Sequence, residues 1–257
     1  MKQIRDFRLK AYDRLNEENY IIELECDEEL PAIKAGNFAE IQVPQTADVF
    51  LRRPFSILDA DHENRSLKFY VKAIGKGTHK LGDLAEGTKV NLIFPLGNSF
   101  NTDHIRHALI AGGGSGIAPF ILLAKELKEK KIKTTFLLGA RTRNEVFLAD
   151  EFAKYGEVLV TTEDGSLGEK GLITQHSVFI KQDFPYDRIF TCGPDPMMKA
   201  VARIAAKKDT NCEASLENMM ACGFGACLCC VTETRDGNKC VCTEGPVFNT
   251  KYLKWQI

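Results

Sequence analysis

Nowhere in the 257 residues do about twenty apolar side chains follow one another, the length a helix needs to cross a bilayer. The least polar stretch, 108–124, is cut by three consecutive glycines and a proline. The opening MKQIRDFRLK has no apolar core of the kind a secretory signal carries, so the expected setting is cytoplasmic, with no membrane partner. Charge of one sign is missing too. The formal net charge is −1, which leaves no general footprint for nucleic acid. The basic run KELKEKKIK carries its own glutamates and reads as a solvated helix face. There is no internal repeat, no low-complexity segment, and no His–Asp–Ser set or carboxylate pair that would mark a hydrolase.

What the sequence does have is cysteine. Six of its nine cysteines fall between Cys222 and Cys242, in ACGFGACLCCVTETRDGNKCVC. Disulfides, zinc and an iron–sulfur cluster are the three explanations. Structural disulfides are rare in a reducing cytoplasm, where clustered cysteines more often hold metal. A structural zinc site usually draws one C-x2-C knuckle from each half, and only one such pair exists here. Cys222, Cys227 and Cys230 instead follow the C-x4-C-x2-C spacing of plant-type [2Fe–2S] ligation, and that spacing selects Cys230 over its neighbour Cys229. The intervening GFGA lets backbone wrap close to an inorganic core and aim N–H groups at sulfur. A fourth ligand has to come from Cys240 or Cys242, two residues apart in an expected hairpin after RDGN. On a strand, alternate side chains face opposite ways, so only one of them can point at the cluster. Cys26 and Cys212 fit as small buried hydrophobes.

The rest of the chain divides by rhythm. Through residue 101, short runs such as YIIELEC, NFAEIQV, SLKFYVKAI and KVNLIFPLG alternate apolar with polar positions between turn residues, as in an antiparallel barrel or sandwich. Over 102–211 the pattern becomes strand, helix, strand: HALIAGGG, IAPFILLAKELKEKK, KTTFLLGA, NEVFLADEFAKY, GEVLVTTED, LITQHSVFIKQ, DRIFTCG and PMMKAVARIAAKK. That alternation predicts a doubly wound parallel sheet. Residues 212–257 form a third, small unit around the cysteines, so the expected fold class is β plus α/β.

Two glycine-bearing turns mark one cleft. LIAGGGSGIAPF sets Gly112, Gly113, Gly114 and Gly116 between a strand and a helix, where a pyrophosphate can approach bare backbone and the positive end of the helix. FTCGPDPMM repeats the device at a later strand end and puts Cys192 and Gly193 on the lip of the same cleft. Read alone, Cys192 is a small buried apolar residue and Arg53 a surface arginine.

Together, RPFS, GGGSGIAP and CGPDPM resemble the ferredoxin–NADP reductase superfamily. With the cysteine pattern added, the chain looks like the electron-transfer subunits of class B dihydroorotate dehydrogenases, over essentially its whole length. The resemblance implies an FAD-binding barrel, an NAD-binding α/β domain and a [2Fe–2S] domain. It also implies a partner, an FMN-containing TIM-barrel catalytic subunit, in a heterotetramer of two copies each. Electrons would pass from dihydroorotate through that FMN, the cluster and FAD to NAD+.

By the same resemblance, Arg53 meets the FAD pyrophosphate, for which a guanidinium fork suits better than an ammonium. Ser56 lies near the isoalloxazine. Pro54 and Phe55 complete the motif, with phenylalanine where many relatives in the wider superfamily have tyrosine. Tyr70, Val71, Lys72, Gly77 and Thr78 match further flavin segments. Gly112, Gly113, Gly114, Gly116, Cys192 and Gly193 match the nicotinamide side, and Cys242, just before TEGPVF, matches the fourth cluster ligand.

Two rival readings remain. One is a related flavin reductase acting with ferredoxin, sulfide or hydrogenase partners, in which Arg141 and Arg143 would contact a 2′-phosphate. The other is a zinc-stabilised interaction protein without redox function.

Overall fold

The computed structural model describes residues 2–44 and 48–255. Six strands near the N-terminus close on themselves: β1 (Gln3–Arg14), β2 (Asn19–Glu25), β3 (Phe38–Ile41), β4 (Arg53–Asp61), β5 (Ser66–Lys72) and β6 (Lys89–Leu96), in the order β1-β2-β5-β4-β3-β6. β1 pairs antiparallel with β6 and leaves no free edge there. The two-residue period sets the core. In β3, Ala39 and Ile41 point into the barrel with Leu24, Ile57, Leu67, Phe69 and Leu92, while Phe38 and Glu40 take the outer face. Helix α1 (Lys76–Gly82) plugs one end, and Leu81 packs into the barrel core.

The second unit is the expected parallel sheet. Its strands are β7 (His107–Gly113), β8 (Lys133–Ala140), β9 (Glu157–Thr162), the short β10 (Glu169–Lys170), β11 (Arg188–Cys192) and β12 (Asn211–Ser215). Between them run α2 (Phe120–Glu129), α3 (Ala149–Ala153), α4 (Ser177–Ile180) and α5 (Asp195–Lys207). Alternate residues of β7 feed opposite faces. Ala108 and Ile110 pack with Phe120, Leu123, Phe136 and Phe152 on one side, whereas Leu109 and Ala111 pack with Val178, Val201 and Ala205 on the other. Burying each such phenylalanine contributes about 1.5–3 kcal/mol. No helix among the described residues is long and apolar enough to cross a membrane.

After the cysteine loop come the hairpin β13 (Val231–Thr234) and β14 (Gly237–Cys240), the short helix α6 (Val241–Glu244), and β15 (Val247–Asn249). β15 returns antiparallel to β12, so the sheet order is β10-β9-β8-β7-β11-β12-β15. The sheet thus crosses the expected boundary at 211/212. A separate core of Phe38 and Leu96 from the barrel, Met198 from α5, and Leu216, Met220, Cys230, Val241 and Cys242 ties the cysteine segment to both larger units.

Two expected helices are broken. At 144–155, Leu148 takes a left-handed backbone (φ 60°), which reduces the helix to α3 and a preceding 3-10 turn. At 172–182, His176 is extended (ψ 139°), and its Nδ1 accepts the Val178 N–H instead of letting the helix continue. This is the N-cap geometry that side chains with a local acceptor favour.

Candidate functional site

The sheet order reverses between β7 and β11, and both glycine turns leave the carboxyl ends of those two neighbours. Ligands of open α/β sheets bind at such a switch point. The turns touch. A Cβ on Gly116 would lie 2.4 Å from Gly193 Cα and 2.5 Å from the Cys192 carbonyl carbon, so only hydrogen fits. Gly112 and Gly113 are buried within the same corner, while Gly114 stands in open space at its mouth.

Cys192 differs from expectation. It is fully buried, a floor beneath the cleft rather than its lip. β11 has core-facing neighbours on both sides, and its last residue stays inside. The thiol donates to Glu217 Oε1 at 3.7 Å; burial, and then the Glu217 charge, push it well above the ordinary cysteine range. It is a neutral hydrogen-bonding surface and not a thiolate nucleophile. Sequence reasoning missed Glu217, since only the fold brings it beneath the β11 turn.

On the barrel side, Arg53, Pro54, Phe55 and Ser56 are four successive half-exposed residues; Phe55, paired with Ala39, still packs on the barrel core, while Pro54 and Ser56 pair with Glu40 and Phe38 on the outer face. Among the described residues the Arg53 guanidinium bonds only the Leu51 and Arg52 carbonyls, at 2.8 and 3.2 Å, and it lies against Gly77. With no carboxylate bonded to it among those residues, it remains available to an anion. The Thr78 hydroxyl accepts the Ile74 and Gly75 amides, both at 3.0 Å, so its first task is to shape the turn into α1. The buried Tyr70 gives its hydroxyl to Asn19 Oδ1 at 2.7 Å and packs on Phe147 across the unit boundary. Val71 lies in the barrel core, and Lys72 ends β5 half-buried. Of the residues assigned to the flavin, the RPFS stretch is thus half-exposed, while Tyr70, Val71, Gly77 and Thr78 are buried and build the support. Lys125 of α2 meets Asp59 of β4 at 2.5 Å and helps fix the two walls relative to each other.

None of the nine cysteines is in a disulfide. Cys222 is opposed by burial, yet the amides of Phe224, Cys227 and Ala226 and the Cys227 thiol outweigh it and bring the Cys222 thiol down to about 6. The Cys229 amide donates to Cys227 Sγ at 3.5 Å, and the Cys242 amide to Cys230 Sγ at 3.3 Å. Cys230 and Cys242 form a buried pair. Burial, then the Cys230 thiol beside it, pushes Cys242 up to about 12. Left-handed backbone at Gly223, Gly225 and Leu228 curls the loop so that these amides turn inward. Among the described residues the sulfurs stand as two neighbouring pairs; no set of three is drawn to metal-holding distance.

Backbone amides directed at the sulfurs of Cys222, Cys227, Cys230 and, from Gly225, Cys242 are the donor set that an iron–sulfur cluster uses. Cys240 ends β14 and Cys242 lies in α6, so the strand alternation expected for this pair does not apply. Burial and the bond to Cys230 distinguish Cys242 instead. Cys229 is exposed, as are Met219, Phe224 and Leu228 of the same segment, at 84%, 55% and 64%.

Comparison with known proteins agrees with this geometry. Residues 217–254 match the family model described as the iron–sulfur cluster binding domain of dihydroorotate dehydrogenase B, and 109–203 match the oxidoreductase NAD-binding domain. The chain is 41% identical to the dihydroorotate dehydrogenase B (NAD(+)) electron transfer subunit of Caldanaerobacter subterraneus subsp. tengcongensis, covering 77% of this chain and 79% of that protein. It is 40% identical to the corresponding subunit of Clostridium perfringens, over 84% and 85%. A chain in the structure of the NADH-dependent reduced ferredoxin–NADP oxidoreductase superposes with a TM-score of 0.88 at 29% identity, covering 97% of this chain and 90% of that one.

Proposed function

The chain belongs to the family of dihydroorotate dehydrogenase B electron-transfer subunits, and from that membership we propose how its own residues carry out electron transfer to NAD+. When bound, FAD converts between the hydride pair exchanged with a nicotinamide and the single electrons a [2Fe–2S] cluster passes. Arg53 would neutralise the flavin pyrophosphate, and Pro54, Phe55 and Ser56 would flank the flavin along the same strand. Tyr70, Val71, Lys72, Gly77 and Thr78 hold that strand and its adjoining turn in place.

The backbone at Gly112, Gly113, Gly114 and Gly116 admits the NAD pyrophosphate. Cys192 and Gly193 close the cleft from below with a neutral thiol that cannot compete as a nucleophile. Cys222, Cys227, Cys230 and Cys242 hold the cluster. The exposed Met219, Phe224 and Leu228 beside it face the catalytic partner, an FMN-containing TIM-barrel subunit present with this chain as two copies each. We assign the complex to the cytoplasm.

The observation that carries this reading is the cysteine loop, whose amides converge on sulfur where a purely structural loop would bond to carbonyls. The test is anaerobic purification with the catalytic partner. It should yield flavin together with about two iron and two sulfide per chain, and dihydroorotate-dependent NAD+ reduction. A preparation lacking both iron and acid-labile sulfide sinks the reading. The likeness to a ferredoxin–NADP oxidoreductase chain over 97% of the sequence favours one rival. Ferredoxin-dependent reduction of NADP+, with no response to dihydroorotate, would establish that rival instead.

A further inference from the structure

Buried carboxylates in proteins are normally paired, and Glu40 is not. It has no exposed surface, and neither side-chain oxygen has a hydrogen-bond partner among the described residues. Such a group is costly to keep, and an orphan of this kind calls for a partner or a role.

Its position is specific. Glu40 pairs with Pro54, and its β3 neighbour Phe38 pairs with Ser56, so all four side chains share the outer face of the barrel. On that face the cysteine loop lies directly over Glu40: a Cβ on Gly223 would come within 2.7 Å of Glu40 Cγ. Gly223 follows Cys222. The carboxyl group is therefore enclosed between the RPFS strand and the first cysteine of the loop.

The nearby cations do not neutralise it by direct bonding. Arg52 gives Nη1 to the Asn91 carbonyl at 2.8 Å and to the Glu40 backbone carbonyl at 3.3 Å, and Nη2 to Asn91 Oδ1. Arg53 is turned to backbone carbonyls. The charged groups that face the carboxyl are Arg52, Cys222 and Arg53.

We propose that Glu40 is a positioning residue between the two redox sites: enclosed between the Ser56 face of β4 and the Cys222 loop, its carboxylate holds the iron–sulfur centre's reduction potential below the value a neutral side chain would give. Reduction adds one electron to that centre, and a fixed negative charge in a poorly screened interior opposes it. This rests on the cluster assignment under Proposed function.

The test is a redox titration of the flavin- and iron-loaded chain at one fixed pH, followed by visible and electron paramagnetic resonance spectra. Glu40→Gln keeps the shape and removes the charge. It should move the cluster potential upward with iron content and g-values unchanged, while Glu40→Asp stays close to wild type. An unmoved potential in Glu40→Gln with iron intact overturns the proposal. So does loss of iron from Glu40→Gln, which would make the residue a prop for the loop. Absence of iron from wild type overturns the function reading itself, a separate and recognisable failure.

Discussion

The nucleotide cleft and the cysteine loop are both punctuated by glycine, and they are held in different ways. In the cleft, Gly116 and Gly193 meet at the ends of β7 and β11, each strand paired on both sides and packed above and below. In the loop, among the described residues, none of the backbone-to-backbone hydrogen bonds outside helices and strands begins or ends between 217 and 229. Amides there turn to the sulfurs of Cys222 and Cys227. The cleft is a product of sheet formation and apolar burial, so its shape exists before any ligand arrives. The loop's internal bonds end on ligand atoms, so its order depends on what those sulfurs hold, as in other sites where metal binding is coupled to folding.

The largest effect should come from Cys222→Ser, which removes the sulfur that most amides address. The variant should lose its iron and all dihydroorotate-to-NAD+ turnover. It should keep its flavin, and NADH should still reduce an artificial dye. Iron assay and the two activities read this directly. Loss of flavin along with iron would show that the two regions order as one, and the contrast between them would fail.

The opposite perturbation is Gly116→Val. Its Cβ would meet Gly193 Cα at 2.4 Å, and the two turns cannot separate without disturbing β7 or β11. Overpacking of this kind costs about 1–3 kcal/mol. The apparent KM for NAD+ should rise about tenfold or more, equivalent to about 1.4 kcal/mol of binding, with iron content unchanged. Unaltered nucleotide kinetics would remove Gly116 from the cleft.

The same division explains what could be read in advance. Barrel strands, the parallel sheet, both glycine turns and the C-x4-C-x2-C spacing are local patterns, and each was legible in the sequence. The helix breaks at Leu148 and His176 were not, because neither residue is a strong breaker and packing decides their backbone. Glu40 is the clearest case. The alternation in NFAEIQV gives it correctly as an outward-facing position, where a glutamate belongs. What covers that face is a loop about 180 residues further on, and no local pattern reports it. Glu217 beneath Cys192, and the end of β14 before Cys242, are hidden for the same reason: tertiary packing sets them.

The smallest effect concerns the sheet alone and tests whether its stability is independent of the loop. His107, at the start of β7, is buried against the Tyr186 ring at 4.4 Å, with Nε2 3.3 Å from Thr135 Oγ1. Burial, and then the Lys133 charge, lower its pKa from the usual value; Asp187 and Glu157 oppose this without reversing it. The sign follows from linkage: the unfolded chain binds the proton more readily. The His107 contribution is therefore full above the unfolded value of about 6.5 and is lost as pH falls through the lower folded value. Denaturant unfolding followed by far-ultraviolet circular dichroism at about pH 7.5 and 5.5 should show wild type losing more stability on acidification than His107→Gln. Since acid also protonates cysteine ligands and releases metal, the comparison belongs on the Cys222→Ser background, where no cluster is present to contribute. An equal acid loss in both proteins would assign the pH dependence to other groups and leave His107 as packing only.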